Sequence, residues 1–197
     1  MNLKSYYLPA DECNSDMPVS LKVILICTVL AAGVFDLRYR RIPNWLNLSA
    51  ITLGLGMNVL LFEVHGLVLA LLGLGCSLLI YIPLYLVRGM GAGDVKLMAA
   101  VGAIVGPMNW LWIFLFTAVL GGVVSLIYVV FRRRLHQTLL NLALIVTELA
   151  CVRLPAAREA RLDIHHGDAL RVPHGAVIAL GAMSFLVLGS KVLTSLI

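Results

Sequence analysis

Apolar residues in this chain run in unbroken blocks separated by short polar punctuation, not in alternation with polar ones. The first block extends from about Pro18 to Phe35 and ends in Asp36-Leu37-Arg38-Tyr39-Arg40-Arg41. Ile42-Pro43-Asn44 starts a second block, from about Trp45 to Phe62, which closes in a polar turn at Glu63 and His65. A third covers about Leu67 to Val87, followed by Arg88-Gly89-Met90-Gly91-Ala92-Gly93-Asp94-Val95-Lys96 and a fourth run that reaches Val105. Gly106-Pro107-Met108-Asn109 turns the chain, and a fifth block runs from about Trp110 to Phe131, up to Arg132-Arg133-Arg134. After a less hydrophobic region at 135–171, a last block occupies about Val172 to Ile197. A helix needs about 20 apolar residues to cross a bilayer. In lipid every backbone polar group must be satisfied internally, which leaves helices and closed barrels. Continuous runs select helices. The pattern predicts an all-α, polytopic membrane helix bundle with about six transmembrane helices. The fourth run is short: Val95 to Val105 spans only about 16 Å as a helix, against a hydrocarbon core of ~30 Å. The Gly-x-Gly-Asp segment is therefore expected to sit below the membrane surface, or the helix to continue past Gly106.

Composition agrees with a membrane assignment. The chain is 61% hydrophobic and 13% charged, whereas soluble domains are about half apolar and a quarter charged. The first block is preceded by a long acidic lead-in (Asp11, Glu12, Asp16) and not by a basic n-region, so it is expected to remain as a spanning helix and not to act as a cleaved signal. The expected organisation is an outward-facing tail at 1–17 and one membrane domain at 18–197, with a cytoplasmic segment at about 132–171.

The formal net charge of +5 raises the question of nucleic acid, but its distribution answers otherwise. With the turns after the first, third and fifth spans in the cytoplasm, only Lys4, Lys22 and Lys191 of the 15 Lys and Arg fall on the other side. This is the positive-inside asymmetry of a membrane protein, with both termini outward and no role for nucleic acid. Residues 135–152 are apolar enough to suggest a seventh span. Gln137, Asn141 and Glu148 lie on one helical face, however, and a seventh crossing would move Arg153, Arg158, Arg161 and Arg171 outside. An amphipathic helix on the cytoplasmic surface is the expectation.

The acids carry the chemical information. Of the 10 Asp and Glu, only Asp36 and Asp94 join directly to hydrophobic spans, where a carboxylate is costly unless paired or used. Both fall on the cytoplasmic side. Two carboxylates brought together do not both ionise easily, so one keeps its proton while the other acts as a base. Such a pair can activate water against a peptide carbonyl and protonate the leaving amine. Gly91 and Gly93 remove side-chain bulk just before Asp94, and Asp94 is placed to lie near a helix N-terminus. Two simpler roles compete: Asp36 as a helix end paired with Arg38 or Arg40, and Asp94 as a helix cap. Lys96 reads first as a snorkelling interface residue.

Other chemistries find less support. Cys13, Cys27, Cys76 and Cys151 form no C-x-x-C, so neither a zinc site nor a disulfide framework is indicated; Cys27 and Cys76 read as small packing residues. His65 and His136 read as interface residues. His165-His166 with Asp163 and Asp168 reads as a solvated loop cluster, not a metal site. Ser49, Ser77 and Ser125 have no histidine nearby in sequence. No metal or cofactor is expected.

Gly91-Ala92-Gly93-Asp94-Val95-Lys96 resembles the Gly-x-Gly-Asp signature of type IV prepilin peptidases, aspartyl proteases of the bacterial inner membrane. Phe35-Asp36 with the basic turn to Ile42-Pro43-Asn44 resembles that family's first catalytic aspartate block. Val172-Pro173-His174-Gly175-Ala176-Val177-Ile178-Ala179-Leu180-Gly181-Ala182 resembles its last-helix pattern, with His174 where the family more often has Tyr. The likeness covers about residues 20–130 and 172–182. A lone Gly-x-Gly-Asp is unspecific; the ordered pair of acid blocks with the last-helix match is not. The resemblance implies that Asp36 and Asp94 carry catalysis, with Gly91, Gly93 and Lys96 as supporting motif. It implies a prepilin or pseudopilin substrate, cut at the cytoplasmic membrane boundary between a basic leader and an apolar helix, and pilus or secretion machinery as partners. Larger members carry a cysteine-rich cytoplasmic insertion and also N-methylate the product. Here residues 36–44 turn straight into the second span, as in the short enzymes of tight-adherence (Flp) pilus systems.

A proton-coupled transporter would also carry intramembrane acids, but it predicts acids near the bilayer middle and broken helices in paired halves. A non-catalytic pilus or secretion assembly factor would leave two edge aspartates without a purpose. The topology is testable with the native thiols. Cys13 is expected to react with an impermeant thiol reagent from outside, and Cys151 only after permeabilisation; labelling of Cys151 from outside would favour a seventh crossing.

Overall fold

In a computed structural model of the chain, residues 17–86, 90–131 and 174–196 are described. Their helices are α1 (Val19–Tyr39), α2 (Asn44–Leu86), α3 (Ala92–Phe131) and α4 (His174–Leu196). The described residues contain no strand, and α1, α2 and the Ala92–Ile127 part of α3 are long and apolar enough to cross a membrane. The chain is an all-α integral membrane protein. Two compact units can be separated, residues 1–120 with 173–197, and residues 121–172. Of the second, only the helical end of α3 at 121–131 is described.

Two of the helices are broken. In α2 the backbone leaves helical angles at Glu63 (φ 55°, ψ −137°), and in α3 at Gly106 (φ 76°, ψ 175°). The described helices thus fall into segments 19–39, 44–62, 64–86, 92–105, 107–131 and 174–196, which match the blocks read from the sequence. The polar turn expected at Glu63 and the Gly106-Pro107 turn are both real breaks. Gly106 suits its place because φ 76° lies in the left-handed region that glycine enters freely. The fourth run does not extend past Gly106 as regular helix, so it remains the short segment expected. The expected surface helix at 135–152, the cytoplasmic segment at 132–171, the tail at 1–16, Cys13, Cys151 and the His165-His166 cluster lie outside the described residues.

The short segment 92–105 is the centre of the first unit. Val95, every residue from Leu97 to Ile104, and Val105 are buried. From Leu97 to Val105 the helix is buried on every side and is made only of apolar residues and glycine, as a fully enclosed helix must be. Small residues let its neighbours approach. Gly73 and Gly102 meet backbone to backbone, and Gly54 lies against Ile104, where an added Cβ would stand 2.8 Å from Ile104 Cγ1. Such close approach between spanning helices favours van der Waals packing where lipid supplies no hydrophobic drive. The buried face of α1 (Leu21, Leu25, Val29, Ala32, Gly33) recurs at helical spacing. Its Gly33 packs on Ala179 of α4, with room for a Cβ at only 3.2 Å from the Ala179 Cβ. Cys27 is exposed and Cys76 is half-buried, so the packing role expected for Cys27 is corrected: among the described residues its side chain is not packed into the core.

The break at Gly106 frees backbone groups, and side-chain amides take them up. Pro107 has no N–H to return to the Ala103 carbonyl one turn earlier. Asn58 Nδ2, on a residue only 6% exposed, donates to Ala103 O at 3.2 Å and Ile104 O at 3.1 Å, and to Gly54 O at 2.9 Å. Asn109 Nδ2 donates to Val105 O at 3.3 Å. Leaving a buried carbonyl unmet costs about 1–3 kcal/mol. Asn58→Leu is therefore expected to lower unfolding stability by about 1–3 kcal/mol, read as a lower denaturation midpoint in detergent; an unchanged midpoint would show that these carbonyls have other partners.

Candidate active site

Asp36 stands in the last turn of α1, one turn before the helix ends at Tyr39. The chain leaves through Arg40 in the left-handed conformation (φ 51°), whose N–H donates to Asp36 O at 2.9 Å. Asp36 is thus inside the helix and not just beyond it, as the block boundaries had suggested. Asp94 stands in the first turn of α3. The Gly91 carbonyl accepts from Asp94 N at 3.1 Å and from Val95 N at 3.3 Å, a turn that leads into the helix. Both residues are buried, Asp36 at 8% and Asp94 at 9% exposure, although each lies near the end of a helix.

The partner of Asp36 comes from the far end of the chain. Its Oδ2 accepts from Gly175 N at 2.7 Å and from Ala176 N at 3.3 Å. These amides belong to the first turn of α4, whose N–H groups have no partner within the helix and whose dipole favours negative charge. The helix-end role with Arg38 or Arg40 is therefore not what Asp36 does: its carboxylate is turned to α4, and the Arg38 guanidinium lies over the Tyr39 ring, 5.8 Å from its centroid.

The two aspartates lie in one neighbourhood of the fold. The Asp94 carboxyl is within electrostatic reach of both Asp36 and His174, and Tyr81 is within reach of Asp94. Ile42 fills the space between the elements. A Cβ at Gly175 would stand 3.0 Å from Ile42 Cδ1, from Asp36 Cβ and from Asp36 Oδ2. A Cβ at Gly93 would stand 3.4 Å from Ile42 Cβ, and one at Gly91 3.2 Å from Asp94 Oδ2. The sequence motif thus supplies small residues where two carboxylates, one isoleucine and a helix start converge. Gly93 serves through space and not through backbone angle, since Gly106 is the only glycine with positive φ among the described residues.

The rest of the expected motif is nearby. Lys96 is exposed and donates from Nζ to Asn44 Oδ1 at 2.9 Å, so it does more than reach for the interface. Tyr81, 2% exposed, packs edge-on against Trp110 and Phe114 at 6.3 and 5.8 Å between ring centroids. Among the described residues no His, Cys, Asp and Glu cluster could hold a metal ion. Residue-by-residue reading missed Gly175, Ala176 and Tyr81; the only signal for the first two was the last-helix pattern beginning at Val172.

Comparison with known proteins identifies the family. The sequence model of the type IV leader peptidase family matches residues 23–126. The chain is similar to the prepilin leader peptidase/N-methyltransferase of Escherichia coli (strain K12), with 37% identity over 106 residues, which are 51% of this chain and 47% of that protein. It is also similar to the protein of the same description from Xanthomonas campestris pv. campestris, with 32% identity over 128 residues, 59% of this chain and 42% of that one. The chain spans about half the length of the curated relatives it matches. No solved structure matches it.

The glycine contacts differ enough to be ranked. Gly175→Ala forces a methyl group against Asp36 and Ile42 and is expected to cost about 1–3 kcal/mol of stability. Gly93→Ala meets Ile42 at ordinary contact distance and is expected to stay within about 0.5 kcal/mol of the parent. Denaturation midpoints in detergent decide; equal midpoints for the two variants would contradict the convergence at Gly175.

Proposed function

Because the chain belongs to the type IV leader peptidase family, we propose that it is a membrane aspartyl endopeptidase that removes the basic leader from a prepilin or pseudopilin. Asp36 and Asp94 are the catalytic pair, Gly91 and Gly93 keep the approach to them open, and Lys96 supports the segment that carries Asp94. The observation that supports this reading is that the ends of α1 and α3 each carry a buried carboxyl, and the two lie within electrostatic reach of each other.

The chemistry follows from that pair. With one carboxyl ionised and the other protonated, the first takes a proton from water as it attacks the scissile carbonyl, and the second gives its proton to the leaving amine. The protons then belong to the pair and not to either residue. The α4 amides on Asp36 fix its orientation, leaving one carboxylate oxygen for this work. The position of both acids at helix ends supports cleavage at the membrane boundary, where a leader emerges from an apolar helix.

The charge distribution supports a bacterial inner-membrane location with the pair facing the cytoplasm. On this reading residues 1–17 are an outward tail and 18–197 one peptidase domain, with 132–171 cytoplasmic and a pilus or secretion machine receiving the product. The direct passage from α1 at Tyr39 to α2 at Asn44 supports a short, Flp-type enzyme that cleaves without methylating.

The test is co-expression with a candidate prepilin, following loss of its leader on a gel and methylation of the product by mass. Asp36→Asn and Asp94→Asn are each expected to reduce cleavage by at least about 1,000-fold, and the double variant to be no worse than either. All three should still insert, since amide and carboxyl are nearly isosteric. No methyl group should appear on the product, and chelators should leave cleavage intact. Cleavage at the parent rate by either single variant would sink the pair.

A further inference from the structure

Asp94 is bracketed by two hydrogen bonds that come from one face of α2. Asn47 Nδ2 donates to Gly93 O at 3.4 Å, on the residue before Asp94. Lys96 Nζ donates to Asn44 Oδ1 at 2.9 Å, two residues after it. Asn44 and Asn47 are neighbours on the helix surface, so the first turn of α2 holds the Asp94 segment on both sides. Asn47 is 2% exposed and its Oδ1 has no partner among the described residues. A buried acceptor left unmet costs stability, and a leucine in its place would bury apolar surface without that cost. Gly93 offers no side chain, so a neighbour can bond this residue only through its backbone, and Asn47 does so at the carbonyl. The same α2 turn continues from the chain that carries Asp36, through Ile42, which lies against both Gly93 and Gly175.

We propose that Asn44 and Asn47 form a positioning clamp that sets where the Asp94 carboxyl stands relative to Asp36, Asn47 through the Gly93 carbonyl and Asn44 through Lys96. Neither asparagine touches the reacting carboxyls; both act through the segment that carries one of them. The kinetic consequence rests on the peptidase reading, and the structural consequence does not. A small displacement of one catalytic group lowers the rate of the chemical step far more than it weakens substrate binding. Loss of the clamp therefore acts on kcat and leaves KM nearly unchanged.

The experiment uses the full chain in lipid nanodiscs, with Asn47→Leu, Asn44→Leu and Asn44→Asp. Hydrogen exchange of the peptide containing residues 91–96 reports on the Asp94 and Val95 amides, which bond to Gly91 O. Asn47→Leu is expected to speed that exchange about tenfold while the rest of the bundle keeps its protection and its melting temperature. With a prepilin substrate, kcat is expected to fall at least about tenfold and KM to stay within about twofold. Asn44→Leu is expected to act in the same direction and less strongly, because its bond is exposed. Asn44→Asp keeps an acceptor for Lys96 and is expected to recover both readouts relative to Asn44→Leu. Should Asn47→Leu not accumulate, Asn47→Ala carries the same measurements. Unchanged exchange at 91–96 in the Asn47 variant overturns the clamp, as does faster exchange across the whole bundle with a lower melting temperature, which marks a purely structural role. If the parent protein cleaves no prepilin, the peptidase reading fails and the exchange result still decides the clamp.

Discussion

The contact on which the site depends is the one between the Asp36 carboxylate and the first turn of α4, a hydrogen bond of 2.7 Å from Gly175 N across 139 residues of chain. A carboxylate at the edge of a bilayer is stable only with a partner, and the free N–H groups of a helix start are such a partner. Satisfying Asp36 brings α4 onto α1, where Gly33 and Ala179 pack closely. It also dictates that Gly175 carry no side chain, because Asp36 and Ile42 occupy that space. Ile42 in turn reaches Gly93, which is how a bond made for Asp36 helps to set the place of Asp94.

The same rule, that polar groups within the bilayer must be met by the protein, explains the role of asparagine elsewhere. Segment 92–105 is buried throughout from Leu97 on and ends at Gly106-Pro107, where the regular ladder stops. Asn58 and Asn109 supply amide donors to the carbonyls at 103, 104 and 105. A helix too short to cross the bilayer alone is therefore affordable at the centre of the bundle. Its shortness leaves the first turn, with Asp94, at one end of the bundle beside the end of α1. The architecture and the catalytic geometry proposed for it are consequences of one requirement.

Much of this is legible in the sequence. Block lengths mark the helices, and Glu63 and Gly106-Pro107 mark the breaks, because a charge or a missing N–H interrupts an otherwise apolar run. Asp36 and Asp94 stand out since a carboxylate joined to a membrane helix is rarely idle. What was not legible depends on packing. In a membrane both the core face and the lipid face of a helix are apolar, so the pattern along α1 does not distinguish exposed Cys27 from buried Leu25. Asn58 reads as an ordinary polar residue until the carbonyls it serves, 45 and 46 residues away, are in view. Gly175 is one small residue among many until Asp36 is placed against it.

The central claim is that Asp36 and Asp94 face one another in a single site. It is tested most directly by proximity in the membrane. In a background with the four native cysteines replaced by serine, Asp36→Cys combined with Asp94→Cys should be joined by a short bifunctional thiol reagent. The product would be seen as retention of a covalent link between the α1 and α3 fragments after proteolysis between them. Ready labelling of both thiols by a monofunctional reagent, with no cross-link under any length of bridge that spans a peptide bond, would contradict the claim.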